Sequence, residues 1–201
     1  MSVQILTVCS GNICRSPMAE QILRVQLEPV HGLEVASAGT IGLTGSPMDE
    51  RAARLAERLG SRDADAHCAR ALDIEMVRGS NLVFAMAREH RKAVVELLPR
   101  AARKTFTIRE FARITSFLSK EDIRDILETN DDLTERFDAA IGLVADERGM
   151  LPPVAPSEDD VVDPYGRTDD IFVQSAEQLM PAVTASASFI RGIASGAVVF
   201  Q

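Results

Sequence analysis

The chain has 201 residues, 46% hydrophobic and 26% charged, the balance of a soluble globular protein long enough to bury one sizeable core. Its net charge of −8 argues against nucleic acid as a general partner, and no apolar run is long enough to span a bilayer. The N-terminus lacks the basic and apolar segments of a secretory leader, so a cytoplasmic location with no membrane partner is expected. Three cysteines, Cys9, Cys14 and Cys68, are odd in number and not spaced for zinc, which sets aside a secreted disulfide framework.

Residues 3–8 are a β-branched, apolar run of one strand's length. A polar loop follows, Cys9-Ser10-Gly11-Asn12-Ile13-Cys14-Arg15, then a helix expected over 17–27, with Ser16 as its cap and Pro17 in its first turn. Met18, Ile22, Leu23 and Val25 recur at helical spacing and should face the sheet, and Pro29 and Gly32 end the helix. A second strand at 33–38 completes a strand, helix, strand unit, so the two strands should be parallel and the Cys9 loop should lie at the carboxyl end of a strand, where open α/β sheets bind ligands. Further on the pattern predicts a helix at 49–59, a polar connection at 61–70, a short helix at 74–77, a strand at 81–86, a helix at 89–98, a strand at 105–108 and a helix from 109 to 117.

The fold class expected is therefore α/β: an open four-stranded parallel sheet with helices on both faces, in one domain over 1–201. Residues 119–160 read as a helical insertion, two acidic amphipathic helices followed by a proline-rich loop at 149–160. Residues 119–170 hold 16 Asp or Glu against 5 Lys or Arg, which reads as a solvated acidic face. A long helix at 169–191, with Pro181 as a point of interruption, and a small apolar tail to Gln201 close the chain.

The loop is where chemistry concentrates. Gly11 and Asn12 are the residue types that most readily take positive φ, so the loop can fold back and point several N–H groups at one spot ahead of a helix N-terminus. Those dipoles and the Arg15 guanidinium favour a thiolate at Cys9, and a thiolate is a nucleophile. Arg15 offers a planar fork matched to two oxygens of a phosphate, and the Ser16 hydroxyl can steady the sulfur as it leaves. Cys14 sits in the same loop, either packed as a small hydrophobe or poised as the second thiol of a redox pair; Cys68 reads as structural.

The run Cys9-Ser10-Gly11-Asn12-Ile13-Cys14-Arg15-Ser16-Pro17 resembles the phosphate-binding loop of the low-molecular-weight protein tyrosine phosphatases. The resemblance covers residues 1 to about 110 and 163 to 191. It implies a phosphomonoester hydrolase that works through a phospho-cysteine intermediate, with no metal or organic cofactor, on a phosphorylated protein or small phosphomonoester, releasing inorganic phosphate. Cys9 would attack phosphorus, and the backbone N–H groups of Ser10, Gly11, Asn12, Ile13, Cys14 and Arg15, with Ser16, would bind the oxyanion. Asp163-Pro164-Tyr165 resembles the family's Asp-Pro-Tyr motif before its last helix, which implies that Asp163 is the proton donor and later the base. Ser37-Ala38-Gly39-Thr40 and His67-Cys68-Ala69-Arg70 resemble two further family segments, placing Ser37 and His67 with Asn12 and Ser16 in a supporting network. Reversible pairing of Cys9 with Cys14 is also implied.

Two departures bear on substrate. Where many members carry an aromatic wall this chain has Ile41, Gly42 and Leu43, and the residue after Tyr165 is Gly166, so the substrate ring would rest on Tyr165 and Leu43. The same loop also supports arsenate reduction, which here would need an external thiol because Cys68 alone stands on a later loop. A non-catalytic oxyanion-binding module is the reading outside enzymes.

Overall fold

In the computed structural model, which describes residues 2–196, the first apolar run forms β1, Val3–Cys9, and the sheet is built outward from it. The helix α1, Arg15–Leu27, returns the chain to β2, Leu33–Gly39, which pairs parallel to β1 from Val3 opposite Leu33 to Cys9 opposite Gly39. On the other side of β1 lies β3, Leu82–Ala85, with Ile5 opposite Leu82, and β4, Thr105–Thr107, continues beyond it. The strand order is β2-β1-β3-β4, all parallel, so the open four-stranded sheet is as the pattern predicts.

Alternation along the strands supplies two cores. Val3, Ile5, Leu82, Phe84 and Phe106 face one side, covered by α1, by α2 (Glu50–Arg58), α5 (Ile108–Thr115), α6 (Lys120–Thr129), α7 (Leu133–Glu147) and α9 (Asp169–Ser195). Leu6, Val8 and Val83 face the other, covered by Val77 of α3 (Ile74–Gly79) and Val94 of α4 (Arg88–Leu97). Phe111 of α5 sits at the centre of the larger core, edge-on to Phe84, Phe106 and Phe189 with ring centroids 5.0–5.6 Å apart.

The structure departs from the sequence reading in four places. Ser16 does not cap α1: the helix begins at Arg15, its N-cap Cys14 makes no side-chain bond, and Ser16 is buried inside the first turn. Pro17 therefore stands third in the helix, where its missing N–H is one of the unpaired donors in any case. Val25 is half-buried while Ala19, Leu23 and Leu27 are buried, because α1 is packed against α9 as well as the sheet and so hides two faces. The segment 149–160 contains a short helix, α8, Pro156–Asp159. Finally α9 runs unbroken through Pro181, which lies on its exposed side. A mid-helix proline costs about 3 kcal/mol, which the burial of twelve α9 residues outweighs. The tail at 197–201 lies outside the described residues.

No helix among the described residues is long and apolar enough to cross a membrane.

Candidate active site

β1 ends at Cys9, the chain folds back through residues 10–14, and α1 starts at Arg15. The fold-back needs one positive φ, and Asn12 supplies it at 60°. It is the one non-glycine among the described residues in that region. Gly11, expected to share this role, does not adopt it, and a Cβ there would make only ordinary contacts with the Ile13 and Leu43 side chains, at 3.4 Å.

The loop's carbonyls all find partners on its outer side. Cys9 O accepts from Thr40 N, Ser10 O from Ile41 N and Gly42 N, Gly11 O from Leu43 N and Ile13 O from Asp49 N, at 2.8–3.1 Å. Asn12 O accepts from His67 Nε2 at 2.7 Å. With the carbonyls held outward, the N–H groups are turned inward toward the sulfur. The Asn12 amide donates to Cys9 Sγ at 3.3 Å, and Ser16 Oγ lies 3.0 Å from the same sulfur.

Asn12 keeps its unusual backbone because its side chain is fully bonded. Nδ2 donates to Ser16 Oγ at 3.0 Å and Ser37 Oγ at 2.8 Å, and Oδ1 accepts from Arg70 N at 2.9 Å. Ser37 Oγ in turn donates to Glu20 Oε2 at 2.5 Å, and Glu20 is paired with Arg24. The structure thus brings Asn12, Ser16, Ser37 and His67 together, and adds Glu20 and Arg70, which sequence reasoning missed. For Glu20 a signal existed: an acidic residue one turn after Ser16 and one turn before Arg24, on the same helix face.

β2 closes against this loop with no room to spare. A Cβ on Gly39 would stand 2.5 Å from Ser10 O and 3.0 Å from Asn12 N and Gly11 C, all backbone atoms. Gly39→Ala should therefore displace the loop and lower kcat/KM by on the order of 10²-fold, the scale of a misplacement near 1 Å, while the circular dichroism of the fold is kept. A variant within twofold of wild type would show that the loop yields freely.

Arg15 is buried at 3% exposure. Its Nη1 donates to Val161 O at 3.1 Å, its Nη2 meets Asp163 Oδ2 at 2.8 Å, and its Nε is buried with no hydrogen-bond partner. Such an orphaned donor is costly unless a ligand completes it. Asp163 is half exposed, and its Oδ1 accepts from Tyr165 N at 3.2 Å. The general region of Asp163 is held at both ends. Asp159 in α8 is buried between Arg88, at 2.6 Å, and Arg113, at 2.8 Å; Val161 N bonds Met86 O, Val162 N bonds Gln178 Oε1, and Arg51 Nη1 holds Arg167 O at 2.7 Å. Asp159 is thus one acidic residue of the 119–170 segment that is not on a solvated face.

Cys9, Ser10, Gly11, Ile13, Cys14, Arg15, Ile41, Leu43, Asp163 and Tyr165 together line one cavity of about 150 Å3. Asn12 and Ser16, both buried, stand behind it rather than in its wall. Cys14 is buried in the wall, and burial pushes its thiol well up, with Asp49, Cys9 and Asp163 adding to the effect and Arg15 opposing it. It stays a thiol. Cys68, read as structural, is exposed and lines a separate depression with His67 and Arg70.

A second missed residue is His90, on the first turn of α4, whose Nε2 is 2.8 Å from Ser10 Oγ. Burial, and then the Arg15 charge, push its imidazole down to about 3, so it is neutral and its 3.5 Å approach to Glu89 is not an ion pair. Its signal was positional: it follows β3, whose carboxyl end adjoins that of β1.

A family model described as low molecular weight phosphotyrosine protein phosphatase matches residues 4–151. The chain belongs to this family. It is 43% identical over 101 residues to the low molecular weight protein-tyrosine-phosphatase Etp of Escherichia coli, a stretch that spans 50% of this chain and 66% of Etp. It is 38% identical over 111 residues to a protein-arginine-phosphatase of Geobacillus stearothermophilus, covering 55% of this chain and 72% of that one. Among solved structures, the tyrosine phosphatase AmsI of Erwinia amylovora superposes with a TM-score of 0.64 at 25% identity, over 92% of this chain and 91% of that one.

Proposed function

We propose that this protein hydrolyses phosphomonoesters through a phospho-cysteine intermediate, with phosphotyrosyl proteins as its substrates and inorganic phosphate as product. The observation that carries the reading is the convergence of Cys9 Sγ, Arg15 and Asp163 on one small cavity, with the Arg15 Nε donor unpaired. Cys9 attacks phosphorus in line with the ester oxygen. The inward N–H groups and Arg15 bind the equatorial oxygens, most strongly as charge spreads over them in the transition state. Asp163 protonates the leaving oxygen, then takes a proton from the water that clears the sulfur. Asn12, Ser37, Glu20, His67 and Arg70 keep the loop in its reactive shape, and His90 positions Ser10. Cys14 is the thiol with which an oxidised Cys9 would pair.

The walls favour an aryl ester. Ile13, Ile41, Leu43 and Tyr165 offer apolar surface to a ring, whereas a phosphorylated guanidinium would ask for a carboxylate, and Asp163, already committed to Arg15, is the one carboxylate in the lining.

The test is steady-state hydrolysis of p-nitrophenyl phosphate across pH, with reductant and chelator present. A bell-shaped rate with stoichiometric phosphate release is expected, reporting one nucleophile and one proton donor. No hydrolysis, together with arsenate reduction dependent on an added thiol, would replace this reading with the reductase; neither activity, with phosphate still bound, would leave a binding module.

A further inference from the structure

A second groove takes no part in the chemistry above. It lies between α2 and the start of α9, encloses about 230 Å3, and is lined by Arg51, Arg54, Leu55, Arg58, Asp169, Phe172 and Val173. Its floor is apolar, and Val173 is 44% exposed there. Its rim carries three arginines against one aspartate, on a protein whose net charge is −8. The arginines recur at positions 51, 54 and 58, so they share one face of α2; Glu50 and Glu57, four before and three after Arg54, adjoin that face but do not line the groove.

The three are not spent alike. Arg51 is anchored: it lies over the Phe172 ring at 4.0 Å, donates to Arg167 O at 2.7 Å and meets Asp169 at 3.5 Å. Arg54 bonds only a backbone carbonyl, Glu50 O, through Nε. Arg58 has no hydrogen bond or ion pair among the described residues. Both are exposed.

The Arg51 end of the groove is tied to the active site. Asp49, the cap of α2, donates its N–H to Ile13 O of the phosphate loop, and Arg51 holds the far end of the loop that carries Asp163. From Arg51 to Arg58 the helix advances about 10 Å, the span of roughly three residues of extended peptide.

Resting on the phosphotyrosine reading above, we propose that this groove receives an acidic segment of the protein substrate flanking the phosphotyrosine, with Arg54 and Arg58 pairing its carboxylates and the Leu55, Phe172 and Val173 floor taking an apolar side chain. Specificity among phosphoproteins then lies outside the catalytic cavity, in charge complementarity along α2.

The experiment compares kcat/KM for three phosphotyrosyl peptides of equal length: acidic residues N-terminal to the phosphotyrosine, the same residues C-terminal to it, and neutral residues on both sides. Wild type and Arg54→Glu/Arg58→Glu are assayed at low and high salt, with p-nitrophenyl phosphate as the control. Wild type should prefer one acidic peptide over the neutral one by about three- to tenfold, as two exposed ion pairs allow. High salt should weaken that preference, the double variant should lose or reverse it, and the rate on p-nitrophenyl phosphate should stay within twofold. Equal rates on all three peptides in wild type, or a preference that survives the double variant, would overturn the groove and leave the phosphatase standing. Cleavage of p-nitrophenyl phosphate with none of the peptides cleaved would overturn both the groove and the phosphotyrosine reading.

Discussion

Replacing Cys9 by serine should bring hydrolysis of p-nitrophenyl phosphate down to background, a loss on the order of 10⁶-fold, the scale seen when a covalent enzyme loses its nucleophile. The expectation follows from what the loop supplies to sulfur and cannot supply to oxygen. The Asn12 N–H, the Ser16 hydroxyl and the N-terminus of α1 surround Sγ with donors that stabilise an anion. Sulfur is the better nucleophile toward phosphorus, whereas a serine hydroxyl needs a base to activate it, and among the described residues no base is hydrogen-bonded to the side chain at position 9. The cradle itself is untouched by the change: its carbonyls remain bonded to residues 40–43, 49 and 67, and Arg15 remains buried beside it. Inorganic phosphate should therefore still bind Cys9→Ser, since the donors that hold its oxygens are unchanged. Isothermal titration beside the rate assay separates the two properties. Turnover retained in this variant would remove Cys9 as the nucleophile, and lost binding would mean that the sulfur helps to hold the loop's shape.

How much of this was readable in the chain depends on how local the cause was. The strand, loop and helix around Cys9 were legible because their signals are adjacent residues: an apolar β-branched run, a residue tolerant of positive φ, a cysteine and an arginine six apart. The capping role expected of Ser16 failed for a tertiary reason, since a hydroxyl inside the first turn does more by bonding Cys9 Sγ and Asn12 than by capping. Val25, expected to face the sheet, is only half-buried because sequence periodicity assumes one buried face, and α1 has the sheet on one side and α9 on the other. Pro181 was read as a break because its local cost is certain while the burial that offsets it is spread along the whole of α9.

The parts of the site that escaped notice are those assembled by the sheet. His90 reaches Ser10 across 80 positions because β1 and β3 are neighbours whose carboxyl ends point the same way, and Arg88 reaches Asp159 across 71 where Val161 N bonds Met86 O just beyond β3. An acidic residue within a stretch of 16 acidic residues carries no mark that distinguishes the buried clamp from the solvated surface. Asp159 could be told apart only once Arg88 and Arg113 were seen on either side of it. Two arginines on one buried carboxylate fix α8, and α8 sets where Val161 and Asp163 stand relative to Arg15.

That placement governs the second large effect. Asp163→Asn should lower kcat/KM for phosphotyrosine by on the order of 10²–10⁴-fold, the range for loss of a positioned proton donor, and should lower kcat/KM for p-nitrophenyl phosphate less. Asparagine keeps the shape of the side chain and can still accept from Tyr165 N, so the loop should hold its turn. The proton alone is lost. A tyrosine phenolate leaves as a strong base and needs that proton in the transition state; p-nitrophenolate is a stable leaving group and needs it little. The contact at 2.8 Å between Asp163 and Arg15 holds the carboxyl beside the guanidinium that would bind the phosphoryl oxygens. Pre-steady-state bursts give the second test: with p-nitrophenyl phosphate the variant should release one equivalent of nitrophenolate quickly and then stall, because water attack on the phospho-cysteine lacks its base. The family match ends at residue 151, short of this loop, so the variant bears directly on a residue whose role rests on the Asp-Pro-Tyr resemblance and on its place beside Arg15 in the cavity. Equal slowing of both substrates with no burst would mean that Asp163 serves only as a partner for Arg15, and a near-normal rate would place the proton donor elsewhere.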